Sequence, residues 1–410
     1  MTKEPAASPR SPLLIVFLTV FVDLVGFGIV IPILPLYADA YHPSPLLFGL
    51  FMASFSLMQF VFSPILGRLS DRFGRRPVML ISLAGSCLSY VLFALAGNLT
   101  LLFASRILAG ISGANISTAQ AIIADTTPPE KRARGMGMIG AAFGLGFIFG
   151  PAIGGMSIGF GHAWPGILAA SMSAVAFVLA LTLLPETRNP SSLPLRRELR
   201  IDVLKRAFLH PLIGPVLAVY FLAIFAFANF ESTFSQFLSW RFHSTPREVS
   251  LFFCYVGVLM VIVQGGLVGR LAKRFRETSL ATWGVALTAL GLVLLPILDA
   301  RSGLFVLLAL LALGTGLTNP SLSSLVSRLS DADEQGVMFG VFQSMGSLGR
   351  IGGPLSGQYL FGRISHASPY WFAASLLAVA SLTMLSFGRR IAEGVRSAPA
   401  APENSPAVAP

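Results

Sequence analysis

Long apolar runs without charged side chains recur along the whole chain. A helix needs about 20 residues to cross roughly 30 Å of hydrocarbon, and a window of that length finds twelve such runs. Only 11% of the residues are charged, whereas a soluble chain carries about 25%. This composition cannot cover a water-facing surface, so we predict an integral membrane protein. The predicted spans, numbered 1 to 12 in chain order, cover residues 13–37, 46–66, 77–97, 99–123, 135–158, 163–184, 211–238, 247–268, 279–298, 303–327, 336–361 and 369–388.

Helices are favoured over a β-barrel, because barrel strands are alternating segments of about ten residues and these runs are long and continuous. Lysines and arginines indicate the orientation, since short cytoplasmic loops collect them. With a cytoplasmic N-terminus, they fall on the inner side except for two within spans and four in outer loops. We therefore expect both termini in the cytoplasm. The four outer residues are Arg241, Arg247, Arg301 and Arg363.

The net charge of +11 is spread over the cytoplasmic segments, so it indicates topology and contact with lipid headgroups rather than nucleic-acid binding.

Cys87 and Cys254 lie within spans, where neither a disulfide nor a metal site is expected. No small-residue cleavage site follows the first apolar run, so no cleavable signal peptide is predicted. The Pro/Ala-rich segment 398–410 is expected to be disordered.

An internal repeat divides the chain into two halves. "GRLSDRFGRR" (67–76) aligns with "GRLAKRFRET" (269–278), and "GFIFGPAIGG" (146–155) aligns with "GRIGGPLSGQ" (349–358) at nearly the same offset. Two matches at one offset indicate a duplicated six-helix unit, and halves related by an axis along the membrane normal are typical of secondary transporters. The predicted organisation is a cytoplasmic tail over 1–12, a six-helix bundle over 13–184, an interdomain loop over 185–210, a second bundle over 211–388 and a cytoplasmic tail over 389–410.

The motifs resemble those of the major facilitator superfamily over nearly the whole chain, and within it the twelve-span drug:proton antiporters, including the tetracycline-efflux-like branch. "GRLSDRFGRR" is similar to the family's loop 2–3 motif, "RILAGISGA" (106–114) to its span 4 motif and "GFIFGPAIGG" to its span 5 antiporter motif. "LTVFVDLVGFGIVIPILP" resembles the first helix of the tetracycline pumps. The resemblance implies an all-α membrane fold of two pseudosymmetric six-helix bundles that works by alternating access.

The loop 2–3 motif is predicted to be a gating latch. Gly67 would let span 2 approach a neighbouring helix closely, and Asp71 can face the positive N-terminal end of another helix. In the family, the aspartate meets the start of span 11 and the arginine, here Arg75, meets an acid below span 4, here Asp125, in the outward-open state. Both contacts should be broken in an inward-open state. Positive-inside topology explains Arg72 and Arg76 equally well. The candidate latch residues are Gly67, Asp71, Arg72, Gly74, Arg75, Arg76 and Asp125.

The span 5 motif shapes a helix rather than supplying chemistry. Small residues at four-residue spacing permit close packing, and Pro151 removes a backbone hydrogen bond and bends the span. The resemblance places this run at the interface between the halves, where it resists leakage; helix packing without a mechanistic role is the alternative. The motif residues are Gly146, Gly150, Pro151, Gly154 and Gly155.

Charged residues within the spans are candidates for proton coupling, because a charge in hydrocarbon costs about 3 kcal/mol or more unless it faces a cavity or a partner. They are Asp23, Arg106, Glu231 and Arg350. We predict that Asp23, near mid-depth, carries the proton and that Arg106 tunes it by approaching and withdrawing; the alternative is a permanent ion pair between spans 1 and 4. Glu231 is either functional or a partly hydrated interfacial acid near the outer face, and Arg350 is a candidate to hold Glu231 or an anionic group.

The substrate cavity is expected to offer apolar and uncharged polar groups. The uncharged candidates are Gln59, Asn115, Gln120, Asn229 and Asn319. The tetracycline pumps carry acids in spans 3 and 9, whereas this chain has Ser89 at the first position and no acid over residues 279–295. Recognition of tetracycline as a metal chelate is therefore not expected.

The function favoured by the span 5 motif is proton-coupled antiport that exports small amphipathic or drug-like molecules. The alternative is a proton-coupled importer or facilitator of a sugar, organic acid or siderophore-like metabolite. An intramembrane enzyme or receptor comes third, because the sequence contains neither a His-Glu-x-x-His motif nor a Gly-rich phosphate loop. We expect no enzymatic activity, cofactor or metal; the proton gradient supplies the energy, the partners are substrate, protons and lipid, and the protein is a monomer in the cell membrane.

Overall fold

The structure is a computed structural model that describes residues 12–127, 129–187, 207–330 and 335–397. These residues form helices and no strand. In the first half, Pro12–Val30 and Leu34–Asp39 form span 1, Pro45–Phe73 span 2, Arg75–Ala94 span 3, Leu99–Ser112 and Asn115–Thr126 span 4, Pro129–Ser157 span 5, and Trp164–Leu183 span 6. In the second half, Ile213–Phe242 forms span 7, Pro246–Ile262 and Val268–Ala272 span 8, Glu277–Leu294 span 9, Gly303–Leu329 span 10, Gln335–Arg363 span 11, and Ser368–Ser397 span 12.

Local capping signals fix where several helices begin. The side chains of Ser44 and Asn98 accept hydrogen bonds from backbone N–H groups in the first turns of spans 2 and 4. Thr245 and Glu248 form a reciprocal capping box at the start of span 8. A few polar residues next to the apolar runs therefore set where these helices begin.

The apolar character of the helices confirms the all-α membrane class. Ten of the helical segments in the described part of the chain are long and apolar enough to cross a bilayer. The helices of spans 5 and 11 are each 29 residues long. These two helices, which are not among the ten, carry the two Gly-Pro repeats. Glycines there take the place of larger apolar side chains, which lowers the hydropathy of both spans.

The C-terminal boundary differs from the prediction. Span 12 was expected to end at residue 388, but its helix continues to Ser397. Ile391 is fully buried, and Gly394 contacts Leu212 at the start of span 7. An apolar stripe thus holds the first residues of the predicted tail against the bundle. Residues 1–11, 188–206 and 398–410, which include most of the predicted tails and interdomain loop, lie outside the described residues.

The packing of the spans follows the repeat. Span 5 packs on span 1, where a β-carbon at Gly150 would lie 2.5 Å from Gly28 Cα. Span 11 packs on span 7 in the equivalent way, and a β-carbon at Gly353 would lie 2.6 Å from the Phe225 carbonyl oxygen. Between the halves, span 2 packs on span 11 and span 5 on span 8. The two-fold relation predicted by the repeat places span 8 at the position of span 2 and span 5 at the position of span 11. It therefore converts one of these two contacts into the other.

The halves contact each other mainly toward one end of the molecule. At that end, a β-carbon at Gly49 would lie 3.0 Å from Leu355 Cα, and one at Gly155 would lie 2.6 Å from Ser250 Cβ. Toward the other end, which carries the loop 2–3 motif, no atom of the described residues lies within 4 Å of the β-carbon position of Gly67. We call these the closed end and the motif end. Among the described residues, the hydrogen bonds that join the halves also lie at the closed end.

Candidate functional site

Asp23 is held inside the first bundle by two neutral donors. Ser173 Oγ of span 6 donates to Asp23 Oδ1 at 2.8 Å, and Asn115 Nδ2 of span 4 donates to Oδ2 at 3.3 Å. Ser173 is fully buried and Asn115 is 3% exposed. Both carboxyl oxygens are therefore bound without a cation, and Asn115 serves Asp23 rather than an open cavity.

Arg106 is buried but does not pair with Asp23. It is 6% exposed, and its guanidinium carbon lies 4.6 Å from the ring centroid of Phe55 on span 2. Its Nε atom has no hydrogen-bond partner within the described residues. A permanent ion pair between spans 1 and 4 is therefore wrong for this conformation, because the guanidinium rests on an aromatic face instead.

Two arginines within the spans, Arg106 and Arg350, act on the carboxylate of Glu231. Arg350, in its own bundle, and Arg106, in the other, both interact with its carboxylate electrostatically. Neither forms an ion pair with Glu231 at hydrogen-bond distance among the described residues. Arg350 also lies 3.4 Å from Ser347 Oγ and interacts with Tyr220. Glu231 is partly buried, which fits either a functional acid or a partly hydrated one, so its role stays a prediction.

Two of the uncharged cavity candidates hold helices together instead. Gln59 Nε2 donates to the Gly113 carbonyl oxygen at 2.9 Å, which joins spans 2 and 4. Asn229 is fully buried, and its side-chain amide lies 3.1 Å from Ser356 Oγ on span 11. Both amides therefore have partners on neighbouring helices in this conformation, and a role for them in the cavity stays a prediction.

A small pocket in the second bundle contains another of these candidates, Asn319. The pocket carries no charged group; its walls are Ala223, Ile224, Phe227, Met260, Val285, Thr288, Thr315, Thr318, Asn319 and Leu377. Each threonine hydroxyl donates to a carbonyl within its own helix, so the Asn319 amide is the polar group best placed to serve a ligand there. The remaining candidate, Gln120, is partly buried on span 4.

The loop 2–3 motif forms a tight turn around one buried arginine. Arg75 is 5% exposed. Its guanidinium binds Asp71 at 2.6 Å, Asp125 at 2.9 Å and Ser70 Oγ at 2.7 Å. Gly74 joins spans 2 and 3 with φ +103°, a conformation that favours glycine. The turn thus ties spans 2, 3 and 4 together at the motif end.

Glu186, just after span 6, completes this turn. Its carboxylate accepts hydrogen bonds from the backbone N–H groups of Arg75 at 2.9 Å and Arg76 at 3.2 Å, at the N-terminus of span 3. Arg76 reaches back to the Leu181 carbonyl oxygen at 2.6 Å. Sequence reasoning missed Glu186; the available signal was an acid directly after span 6, on the same side of the membrane as the start of span 3.

The structure shows one of the predicted latch contacts. Arg75 contacts Asp125, and because both residues belong to the first bundle, this contact does not by itself identify the state of the transporter. No atom of the described residues lies within 4 Å of the β-carbon position of Gly67, so its close approach to a neighbouring helix stays a prediction. Arg72 is exposed and stacks on Phe73, as positive-inside topology explains. The contact of Asp71 with span 11 stays a prediction, since residues 331–334 and the side chains that follow them to 337 lie outside the described part.

The span 5 motif serves two interfaces. Gly146, Gly150 and Gly154 face span 1, where β-carbons would lie 2.9, 2.5 and 2.6 Å from atoms of Leu24, Gly28 and Ile29 respectively. Gly155 faces span 8 in the other half. The predicted position between the halves therefore holds for Gly155, whereas the other three glycines permit close packing within the first bundle. Pro151 lies inside the span 5 helix.

Comparison with known proteins gives a family match and close relatives. The model described as Major Facilitator Superfamily matches residues 16–354 and 216–409. The tetracycline resistance protein, class C, of Escherichia coli is 35% identical over 353 residues, 84% of this chain and 88% of that protein. Multidrug resistance protein 2 of Bacillus subtilis is 29% identical over 390 residues, 93% of this chain and 97% of that protein.

Solved transporters share the fold. The human organic anion transporter MFSD10 (TETRAN) is 26% identical, with a TM-score of 0.68 over 93% of this chain and all of that one. A peptide transporter POT in complex with sulfate is 13% identical, with a TM-score of 0.77 over 96% of this chain and 97% of that one. The second likeness shows the fold alone.

Proposed function

The chain belongs to the major facilitator superfamily, and we propose that it is a proton-coupled antiporter that exports small amphipathic or drug-like molecules by alternating access. Relatives named for tetracycline and multidrug resistance support export, as does the span 5 motif. They do not favour the alternative of metabolite import. Ser89, at the position where the tetracycline pumps carry an acid, makes the tetracycline chelate itself an unexpected substrate.

The observation that carries this proposal is the partly buried carboxyl group of Asp23 within span 1, which has neutral partners and no paired cation among the described residues. A carboxylate without a counter-charge is costly in hydrocarbon, and binding a proton removes that charge. Asp23 therefore takes a proton when the cavity faces outside. When Asp23 releases this proton toward the cytoplasm, a substrate or a nearby cation must stabilise the charge that remains on the carboxylate. Proton and substrate therefore bind in turn and not together.

Arg106 supplies the mobile cation in this scheme. It rests on Phe55 without an ion pair, and its charge acts on Glu231 in the opposite half. A small rocking of the halves changes its distance to Glu231, whereas its distance to Asp23, in the same bundle, changes only if the side chains or spans 1 and 4 themselves move. Arg350 holds Glu231 from its own bundle. The protonation of Glu231 is thus tied to the relative position of the halves, and that of Asp23 to the placement of the Arg106 side chain.

The Arg75 cluster is the fixed part of the latch. With both termini in the cytoplasm, the motif end faces the cytoplasm and this conformation is inward-facing. Asp71 pairs with Arg75 here, and it exchanges that partner for the start of span 11 when the halves close on the cytoplasmic side. The Arg75–Asp125 pair and Glu186 keep the turn in shape in both states.

Transport in membrane vesicles tests the proposal. Inside-out vesicles energised to acidify their interior should accumulate ethidium, and a proton-collapsing ionophore should abolish the accumulation. Energised right-side-out vesicles should not accumulate it, and vesicles lacking the protein are the control. Accumulation in right-side-out vesicles would instead support the importer, and accumulation that survives the ionophore would exclude proton coupling.

A further inference from the structure

Two hydrogen bonds join the halves directly at the closed end. Ser235 Oγ of span 7 donates to the Pro32 carbonyl oxygen at 3.0 Å, and Gln236 Nε2 donates to Asp39 Oδ1 at 3.0 Å. Pro32 lies where the span 1 helix breaks between Val30 and Leu34. The break turns a backbone carbonyl and a carboxylate of the first half toward span 7.

The first-half side of this contact is braced within its own bundle. Tyr37 OH donates to the His162 carbonyl oxygen at 2.7 Å, and Tyr41 OH donates to the Ala96 carbonyl oxygen at 3.2 Å. The Tyr37 ring also stacks on Phe93. The short helix Leu34–Asp39 therefore moves as part of the first bundle.

The second-half side is braced in the same manner. Gln358 of span 11 is 2% exposed, and its Nε2 donates to Gln236 Oε1 at 2.8 Å and to the Ser232 carbonyl oxygen at 2.7 Å. Because Gln358 occupies the oxygen of the Gln236 amide, the Gln236 NH₂ group is left to face Asp39. The orientation of the amide is fixed by its own bundle.

We propose that the Ser235–Pro32 and Gln236–Asp39 bonds form an outer clasp that holds the extracellular side shut in the inward-facing state. The proposal rests on the alternating access argued above, because opening that side separates two rigidly braced partners and breaks both bonds. The net free energy of one hydrogen bond changes the ratio of inward-facing to outward-facing molecules by about two- to tenfold. The clasp thus sets how often the empty transporter faces outward.

The test measures the distance between the outer ends of the halves by electron spin resonance. Spin labels replace Phe160 in the first half and Ile297 in the second, two exposed residues on outer loops, in a background carrying Cys87→Ala and Cys254→Ala. The purified protein is measured in detergent without substrate or gradient. Failure of the clasp is therefore distinguishable from failure of proton-coupled export, which the vesicles report.

The variants probe both partners of the clasp. Ser235→Ala should raise the ratio of long to short distances about two- to tenfold. Gln236→Glu should raise it by about tenfold or more, because two carboxylates then face each other. Adding Asp39→Lys to Gln236→Glu should restore the short distance through an ion pair. The matched control is Ser239→Ala, one turn along span 7, whose hydroxyl donates to the Ser244 carbonyl oxygen within the same half.

The proposal is overturned if Ser235→Ala and Gln236→Glu leave the distances as in the parent protein. It is equally overturned if Ser239→Ala shifts them as much as Ser235→Ala, or if the double variant stays open. Ser235 is fully buried, and Ser235→Ala can therefore lower the yield of folded protein. Gln236 and Asp39 lie toward the outer surface, so their charge variants still test the clasp in that case.

Discussion

At the scale of single residues, the sequence identified the charges but not the groups that bind them. A charge within an apolar run is visible at once, which is why Asp23, Arg106 and Arg75 were found. Ser173 and Glu186 were missed, because their partners lie on other helices more than a hundred residues away. One buried serine among many carries no signal of what it will contact. In this conformation Asp23 is bound by neutral groups and Arg106 rests on Phe55, so the approach of Arg106 to Asp23 stays a prediction.

Asp23→Asn is predicted to abolish uphill, proton-driven transport while the protein still folds and binds ethidium. Asparagine has the shape of the protonated acid and keeps an oxygen to accept from Ser173, but it can neither take nor release a proton. Vesicle accumulation measures the first effect, and equilibrium dye binding measures the second. Asp299→Asn, a change of the same kind at an exposed loop residue, is the control. Retained uphill transport in Asp23→Asn would reject Asp23 as the carrier and direct attention to Glu231.

At the scale of the helices, the glycines show how closely two elements pack. A β-carbon at Gly150 would lie 2.5 Å from Gly28 Cα, whereas one at Gly67 would meet no atom within 4 Å. Gly150→Ala is therefore predicted to destabilise the protein by about 1–3 kcal/mol through overpacking. Gly67→Ala should be neutral or stabilising by up to about 1 kcal/mol through helix propensity. Thermal unfolding of the purified variants measures both, and equal stability of the two would contradict this account of the span 1–span 5 interface.

Glu186 is predicted to act as the N-terminal cap of span 3. Removing the acceptor with Glu186→Ala should destabilise the protein by about 0.5–2 kcal/mol, the usual effect of losing a cap. Glu186→Gln loses the charge and one acceptor oxygen but keeps the other, and with it one of the two backbone hydrogen bonds, so its effect should be smaller. Thermal unfolding again provides the measurement. A Glu186→Ala variant as stable as the parent would show that the two backbone hydrogen bonds do not support the turn.

The helices themselves were largely predictable, and their ends were not. Hydropathy locates the part of a helix that lies in hydrocarbon, so it stops where polar residues begin. Span 2 continues to Phe73 and span 12 to Ser397, because polar residues with good helix propensity prolong a helix into water. The π-helical segment Val263–Leu267 within span 8 was also missed, since a single wide turn leaves no hydropathy signal.

At the scale of the whole molecule, the repeat predicted two related halves but not which end is closed. Both states of a rocking transporter use the same helices, and contacts within one bundle do not report the state. The Arg75–Asp125 pair is such a contact, since both residues belong to the first bundle. Contacts that cross between the halves, such as Gln236–Asp39, report the state instead.

The central claim, exchange of protons against substrate, is tested most directly in proteoliposomes that contain the purified protein and a trapped pH-sensitive dye. Ethidium is added outside without any initial proton gradient. Antiport moves protons out as ethidium enters, so the lumen should become alkaline with the parent protein and stay unchanged with Asp23→Asn. Acidification of the lumen with the parent protein, or alkalinisation that persists in Asp23→Asn, would contradict the account.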